Sequence, residues 1–372
     1  MRIGIVSDIS YPWVKGGLQY IEHIEAVHLA KEHEVLFFTF RFKGMKSTFT
    51  KYGIHYICVA DADVDRLYVN GIRSTRLALL FARALPKFLS KYKLDAIFVN
   101  TMPYLHLPAV KRYCRANGTK LIMDAIEIWD MKYWQKYLGA FKGIAAYYYM
   151  NRALKGADHY IANSSTTSQG LQRIGIEPDK IRVFSPVVDL KEMSRYASKS
   201  DKGDGTVIFA GRFIKEKRLD LWIDVVAKAH SINKNVRGLI IGSGPESDSI
   251  MRKIADSGYN FISVQPFMKS RKKLYKRMAG ASLLLNMSER EGLSAIAIES
   301  LALRTPVLLP SYTPIPAEVK QRCVVDDISL LPKRVDEIVR ASKSRYLQKV
   351  GTLSEFDTGM VNSVFDDLLG VR

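Results

Sequence analysis

Two glutamates set the chemistry that residues 286–310 could do. This stretch, NMSEREGLSAIAIESLALRTPVLLP, places Glu291 in a polar turn and Glu299 in the segment that follows. From Ala295 to Leu303 every residue except Glu299 and Ser300 is apolar. At helical spacing the neighbours of Glu299 are Ala295, Ile296, Ala302 and Leu303, so the pattern predicts a helix buried most of the way round. A carboxylate there is costly unless something hydrogen-bonds to it. Gly292 permits close backbone approach or a positive φ in the turn, and Ser294 is the expected N-cap. The free N–H groups and dipole of that helix start attract a phosphate, which Gly292, Leu293 and Ser294 would border. Glu299, about one turn further in, could accept bonds from two ribose hydroxyls. Glu291 could face a sugar carried on the phosphates. The plainer alternative is a capped core helix with two incidental acids, and a glutamate in so apolar a helix argues against it.

Three further stretches carry charge or glycine where a ligand could sit. Arg212 and Lys217 follow a strand in the loop GRFIKEK (211–217). Arginine gives forked bonds to phosphate and lysine a compact charge; taken alone, the pair reads as exposed surface charge. Gly16 and Gly17 stand just before a predicted helix, where backbone can approach a ligand and the helix start favours phosphate. They form no GxGxxG fingerprint, so a standard dinucleotide site is not indicated. An ordinary glycine-containing loop is the alternative. Asp124-Ala-Ile-Glu127-Ile-Trp129 is an acidic loop at the carboxyl end of a predicted parallel strand, where α/β sheets bind ligands. A capping acid ahead of the next helix is the competing reading. Asp61, Asp63 and Asp65 have a metal-binding spacing but read as a solvated loop, so no metal site is expected.

The elements that must position these groups alternate strand and helix. RIGIVS (2–7), a loop, a helix over about 20–31 and EVLFFTF (34–40) make a β–loop–α–β unit. A strand near 54–59, a long basic helix from Arg73 to Tyr92, strand 95–100, helix 106–117 and strand 120–123 follow. The second half repeats the rhythm with strands at 206–210, 237–242, 260–264, 281–286, 306–309 and 322–325. Residues 191–205 are hydrophilic and read as a linker. The expected organisation is an N-terminal Rossmann-like domain (1–190), the linker, a second such domain (206–350) and a C-terminal helix (351–372). The fold class is α/β, with two doubly wound parallel-sheet domains. Residues 131–155 form an amphipathic segment in which aromatics interleave with Lys132, Lys136, Lys142, Arg152 and Lys155. As one helix it could lie on an anionic membrane surface, pack as core with solvated lysines, or line an acceptor groove.

The net charge of +19 over 372 residues predicts a surface that attracts anions: nucleic acid, acidic lipid or phosphorylated substrate. The N-terminal segment has neither the apolar run nor the cleavage site of a signal peptide. No apolar run is long enough to span a membrane. The three cysteines are widely spaced, which argues against a disulfide framework or zinc site. Cytosol is the expected compartment, with peripheral contact at the inner face of the cell membrane as the alternative.

EGLSAIAIE (291–299) resembles the Glu-x7-Glu signature of retaining glycosyltransferases of family 4, which have the GT-B fold. The likeness runs along nearly the whole chain. GRFIKEK resembles the family's Gly-Arg-x4-Lys, implying that Arg212 and Lys217 neutralise the donor diphosphate without a metal. It also implies that Gly16 and Gly17 face that diphosphate across the cleft between two domains. The resemblance implies an acceptor-side role for the N-terminal domain (1–190), a nucleotide-sugar donor role for the second (206–350) and a last helix that crosses back. The base pocket would lie near Gln265–Phe267, with Phe267 packing nearby and uridine and guanosine both open. The family's histidine after the strand at 120–123 is absent; Asp124–Trp129 resembles instead the acidic Asp-x-x-Asp-x-Trp pattern, with Glu127 facing the sugar. The usual Asn-Gly-Val-Asp is altered to Ser185-Pro-Val-Val-Asp189. The resemblance implies transfer of a sugar, with retention, from a UDP- or GDP-sugar to a glycan or lipid-linked acceptor, with no cofactor beyond the donor. An epimerase, an inactive sugar-nucleotide sensor and a basic nucleic-acid-binding protein are the rivals. The last explains the charge but not the glutamates or the glycine loops, so nucleic acid is not an expected partner.

Overall fold

The computed structural model describes residues 1–14, 16–69, 72–268 and 270–371. The chain divides into two compact units, Met1–Pro186 with Thr358–Arg372, and Val187–Asp357. The first holds an eight-stranded sheet: β1 (Arg2–Val6), β2 (Glu34–Arg41), β3 (Thr48–Lys51), β4 (Ile54–Asp61), β7 (Ala96–Asn100), β8 (Lys120–Ala125), β9 (His159–Ala162) and β10 (Ile181–Val183). Between β4 and β7 lies a short antiparallel pair, β5 (Tyr68–Val69) and β6 (Ile72–Arg73). The sheet order is β10-β9-β8-β7-β1-β2-β4-β3, parallel throughout except that β3 runs antiparallel on the β4 edge.

Alternation along the strands explains the layering. Ile3, Ile5, Phe37 and Phe98 point to one face, covered by α1 (Gly17–Leu29) and α15 (Val361–Leu369). Val6, Phe38, Val99 and Met123 point to the other, covered by α2 (Thr75–Leu89), α3 (Leu107–Asn117), α4 (Met131–Leu138), α5 (Ala140–Leu154) and α6 (Ser165–Arg173). Burial on both faces is why β2 reads as a nearly continuous apolar run, VLFFTF, interrupted only by Thr39. The closing helix α15 docks on the first unit, with the rings of Phe98 and Phe365 centred 4.5 Å apart.

Several sequence expectations need correction here. Residues 131–155 are not one helix: Gly139, at φ 86°, ends α4 and α5 starts at the next residue. Asp130 caps α4 by accepting from Tyr133 N at 2.7 Å. Arg73 is not part of the exposed basic helix; it closes β6 and forms an ion pair with Asp8, while Ser74 caps α2. The segment from Phe356 begins with two 3-10 turns before α15. The stretch read as a linker contains a helical turn, α7 (Leu190–Met193), and belongs to the second unit.

The second unit holds six parallel strands: β11 (Thr206–Arg212), β12 (Arg237–Ser243), β13 (Ile262–Gln265), β14 (Leu283–Leu285), β15 (Val307–Pro310) and β16 (Val324–Asp326). Their order is β13-β12-β11-β14-β15-β16. The helices are α8 (Leu219–Ile232), α9 (Ser247–Asp256), α10 (Arg271–Gly280), α11 (Ala295–Ala302), α12 (Ala317–Lys320), α13 (Leu331–Arg340) and α14 (Lys343–Leu347). Trp222 of α8 is wholly buried and donates its indole N–H to Leu285 O at 3.1 Å, tying α8 to β14. The chain builds β11 to β13 outward in one direction, then restarts beside β11 with β14. That reversal makes a crevice outside the carboxyl ends of β11 and β14, where open α/β sheets place their ligands.

Candidate functional site

The crevice of the second unit gathers most of the expected residues. Lys217 leaves the carboxyl end of β11 on a 3-10 turn, Lys215–Lys217. Glu291 and Asn286 follow β14. Lys217 Nζ donates to Glu291 Oε1 at 2.7 Å, and Asn286 Nδ2 donates to the same oxygen at 3.0 Å. Glu289 N donates to Glu216 O at 2.8 Å, and Arg218 forms an ion pair with Glu289, so the two loops are laced together. Arg212 ends β11 exposed, with no carboxylate in ion-pair range among the described residues. Lys217 and Arg212, with a carboxylate held by both a cation and an amide, can neutralise one anion and orient a hydroxyl.

Ser294 is placed differently from expectation. It occupies the N-cap of α11 at φ 66° and makes no side-chain cap bond. Its Oγ instead accepts from Asn286 Nδ2 at 3.1 Å. A non-glycine residue in the left-handed region is a strained position held by its surroundings. The consequence is chemical: Ala297 N donates to the Ser294 carbonyl at 2.9 Å, but the N–H groups of Ala295 and Ile296 receive no side-chain cap and stay open to an anion. Leu293 is buried and Gly292 partly exposed beside it.

α11 has no exposed residue, as its apolar pattern predicts. Glu299 is 5% exposed and is satisfied by an ion pair with Arg271, the first residue of α10. Burial pushes its pKa up, and the Arg271 charge and hydrogen bond oppose that rise. Arg271 also donates from Nε to Tyr275 OH at 2.9 Å, which fixes its guanidinium. Phe267 lies exposed just past β13, on the same sheet edge but two strands from β11.

Gly16, Gly17 and Glu127 belong to the first unit. Gly16 is the N-cap of α1 with an extended backbone, and no side chain caps that helix. A Cβ on Gly17 would meet open space, so packing does not demand this glycine. Glu127 does not cap a helix; its Oε2 accepts from Trp129 Nε1 at 2.6 Å, and its carbonyl accepts from Tyr104 OH at 3.3 Å.

Sequence reasoning missed three participants. Asn286 bridges Glu291 and Ser294, and only its place after an apolar strand hinted at it. Arg271 lay in a basic run, RKK (271–273), that read as surface charge. The third lies in the first unit, which has its own reversal between β1 and β7. There Glu22 of α1, 4% exposed, accepts from Asn100 Nδ2 and sits 3.0 and 3.1 Å from Ser7 Oγ. Burial pushes its pKa up to about 8, helped by Asp124 and Asp8 and opposed by the bonds from Asn100 and Ser7.

Residues 16–192 match the model of Glycosyltransferase Family 4, and residues 191–344 match that of Glycosyl transferases group 1. Compared with curated proteins by sequence, the chain has no match. Among solved structures it resembles HepE of Anabaena in complex with UDP and glucose, at TM-score 0.71 and 14% identity over 100% of both chains. It also resembles sucrose-phosphate synthase of Thermosynechococcus elongatus, at 0.72 and 15% over 100% of both. The apo lipopolysaccharide outer core galactosyltransferase WaaB is similar at 0.66 and 14%, over 100% of this chain and 99% of that one. At such identities these likenesses establish the GT-B fold and no more. The two family models adjoin at residues 191–192 and together cover residues 16–344, every strand of both sheets except β1, so the chain belongs to the GT-B glycosyltransferases, related to family 4.

Proposed function

We propose that this glycosyltransferase moves a sugar from a UDP-sugar to a glycan or lipid-linked acceptor, with retention and without a metal. The observation that carries the reading is the Lys217–Glu291 pair at the β11–β14 crevice, beside the uncapped start of α11. When the donor enters, its diphosphate takes Lys217 from Glu291 and receives the N–H groups of α11, with Arg212 as a second cation. Breaking the sugar–phosphate bond places charge on the nucleoside diphosphate, and fixed cations and dipoles stabilise that charge as it develops. Glu291, released, accepts from a hydroxyl of the transferring sugar. Glu299 accepts from the ribose diol, Phe267 packs near the base, and the Gly16–Gly17 loop and Glu127 act from the first unit. In a front-face step the leaving phosphate oxygen takes the acceptor proton as the new glycosidic bond forms on the same face, so no side chain need act as nucleophile. HepE, crystallised with UDP and glucose, supports uridine as the base, and WaaB supports an envelope saccharide as acceptor.

A specific surface favours the lipid-linked acceptor. Of the helices over one face of the first sheet, α2 and α3 carry three Lys or Arg each, α4 and α5 two each, and none of the four has an aspartate or glutamate. Phe141 (90% exposed), Tyr148 (61%) and Leu80 project from the same layer. Basic residues near an anionic bilayer contribute about 1 kcal/mol each. No helix among the described residues is long and apolar enough to cross a membrane, so this contact is peripheral.

Titration with UDP, GDP and their sugars, with and without EDTA, tests the donor reading, and NMR of the product anomer tests retention. Specific binding of a uridine diphosphate that survives EDTA supports it; a folded protein that binds none overturns it. Flotation with phosphatidylcholine vesicles, with and without phosphatidylglycerol, tests the surface. Binding only to the anionic vesicles, reduced by K142E, is expected. Equal binding to both, or none, removes the membrane from the reading.

A further inference from the structure

We infer that Glu22 is a positioning residue that works as a neutral acid, its carboxyl proton closing a hydrogen-bond chain that ties α1 to the strand ends β1 and β7. The counting of donors requires this. Ser7 Oγ has one proton and stands 3.0 Å from Ile9 O, which can only accept. It also stands 3.0 Å from Glu22 Oε2. An ionised Glu22 could only accept, so Ser7 would serve either the carboxylate or Ile9 and leave the other without a donor. A protonated Glu22 donates from Oε2 to Ser7, Ser7 donates to Ile9, and Asn100 Nδ2 donates to Oε1. Every polar group is then satisfied, as a buried site demands.

The surroundings agree. The groups facing Glu22 are acids: Asp124 at the end of β8, Asp8 after β1, and Glu25 on α1 itself, 8% exposed. Asp8 in turn is paired with Arg73. Asp124 is itself pushed up to about 7, by burial. Asn100 extends the chain: its Oδ1 accepts from Met102 N at 2.9 Å and its carbonyl meets His106 Nε2 at 2.9 Å. One proton therefore links the helix that begins at Gly17, the β1 loop and the β7 loop. Loss of that proton buries an uncompensated negative charge among carboxylates and releases the start of α1. The inference stands apart from the donor site of the second unit. Its effect on transfer rests on the reading that the Gly16–Gly17 loop works in the reaction.

The test compares the wild type with E22Q and E22A. Glutamine copies the protonated acid, donating to Ser7 while accepting from Asn100. Infrared difference spectra should show a protonated-carboxyl band in the wild type at neutral pH that is lost in E22Q. In urea unfolding, the wild type should fall behind E22Q as pH rises from about 4.5 to about 8, because the unfolded chain releases the proton that the folded chain keeps. Transfer should decline above about pH 8 in the wild type, stay level there in E22Q, and be low at every pH in E22A. If E22Q behaves as E22A does at neutral pH, or the band is absent, the proposal fails. If the band and the stability gap appear but transfer has no alkaline decline, the proton is real and the role in positioning the loop fails. The spectra and the unfolding read Glu22 even if the donor reading is wrong.

Discussion

Lys217 Nζ and Glu291 Oε1 lie 2.7 Å apart although 74 residues separate them, because β11 and β14 are neighbours at the point where the sheet reverses direction. The pair is partly buried, and without donor each is the other's counterion. On the proposed reading the donor diphosphate competes with Glu291 for Lys217, which would make the pair a gate as well as a site. Lys217→Ala should lower transfer about a hundredfold or more, mainly in kcat, because the charge it meets develops in the transition state. Glu291→Gln keeps the bond from Asn286 while giving up the counterion role. It should raise affinity for free UDP and still lower transfer. Titration calorimetry with UDP and steady-state kinetics check both, and unchanged UDP affinity in Glu291→Gln would contradict the competition.

Glu299 gives a prediction with a sign in pH. Its folded pKa is raised by burial, and Arg271 opposes the rise. In the role proposed for Glu299 only the carboxylate could accept from both ribose hydroxyls, so donor affinity should fall as pH drops through that raised value. Arg271→Gln removes the opposing charge, and the same loss should then appear at higher pH. Glu299→Ala should cut transfer about a hundredfold or more and erase discrimination between UDP-sugar and its 2′-deoxyribose analogue. Full activity of Glu299→Ala would refute this assignment.

What could be read from the sequence depended on how local each signal was. Glu299 stood out because four apolar helical neighbours make its cost visible within one turn. The strand–helix alternation was local too, though not every boundary within it. Arg271 was invisible as its partner, being 28 residues away in a basic run. Glu22 hid for a different reason: GLQYIEHIEAVHL mixes acids and apolar residues, and only the sheet beneath decides which face is buried. Gly139 looked like one of several small residues in 131–155. Whether it bends, breaks or continues a helix depends on the close packing of α4 against α5.

The last helix should matter to the first unit alone. Phe365 is buried against Phe98 on the face it shares with α1, and Asn362 Nδ2 donates to Glu32 Oε1 at 2.5 Å. Phe365→Ala removes a buried ring at a cost of about 3–5 kcal/mol. Calorimetry should show the transition of the first unit moving down while UDP binding at room temperature persists. Loss of UDP binding in a protein that still melts cooperatively would mean that α15 also supports the donor site.

At Gly143 the backbones of α4 and α5 lie close together. A Cβ there would stand 2.5 Å from Gln135 Cα and N and 2.6 Å from the Trp134 carbonyl carbon, all backbone atoms that cannot turn aside. Gly143→Ala should therefore splay the two helices, at a cost of about 1–3 kcal/mol for the forced overpacking. Trp134 is buried between them and donates to Met150 Sδ at 3.4 Å, so the splay should expose the indole and red-shift its fluorescence. Phe141 and Lys142 sit at the start of α5, and their presentation depends on the same packing. If the basic layer binds anionic vesicles, Gly143→Ala should weaken that binding while leaving the affinity for UDP unchanged. Weakened UDP binding in this variant would instead connect the α4–α5 pair to the donor site.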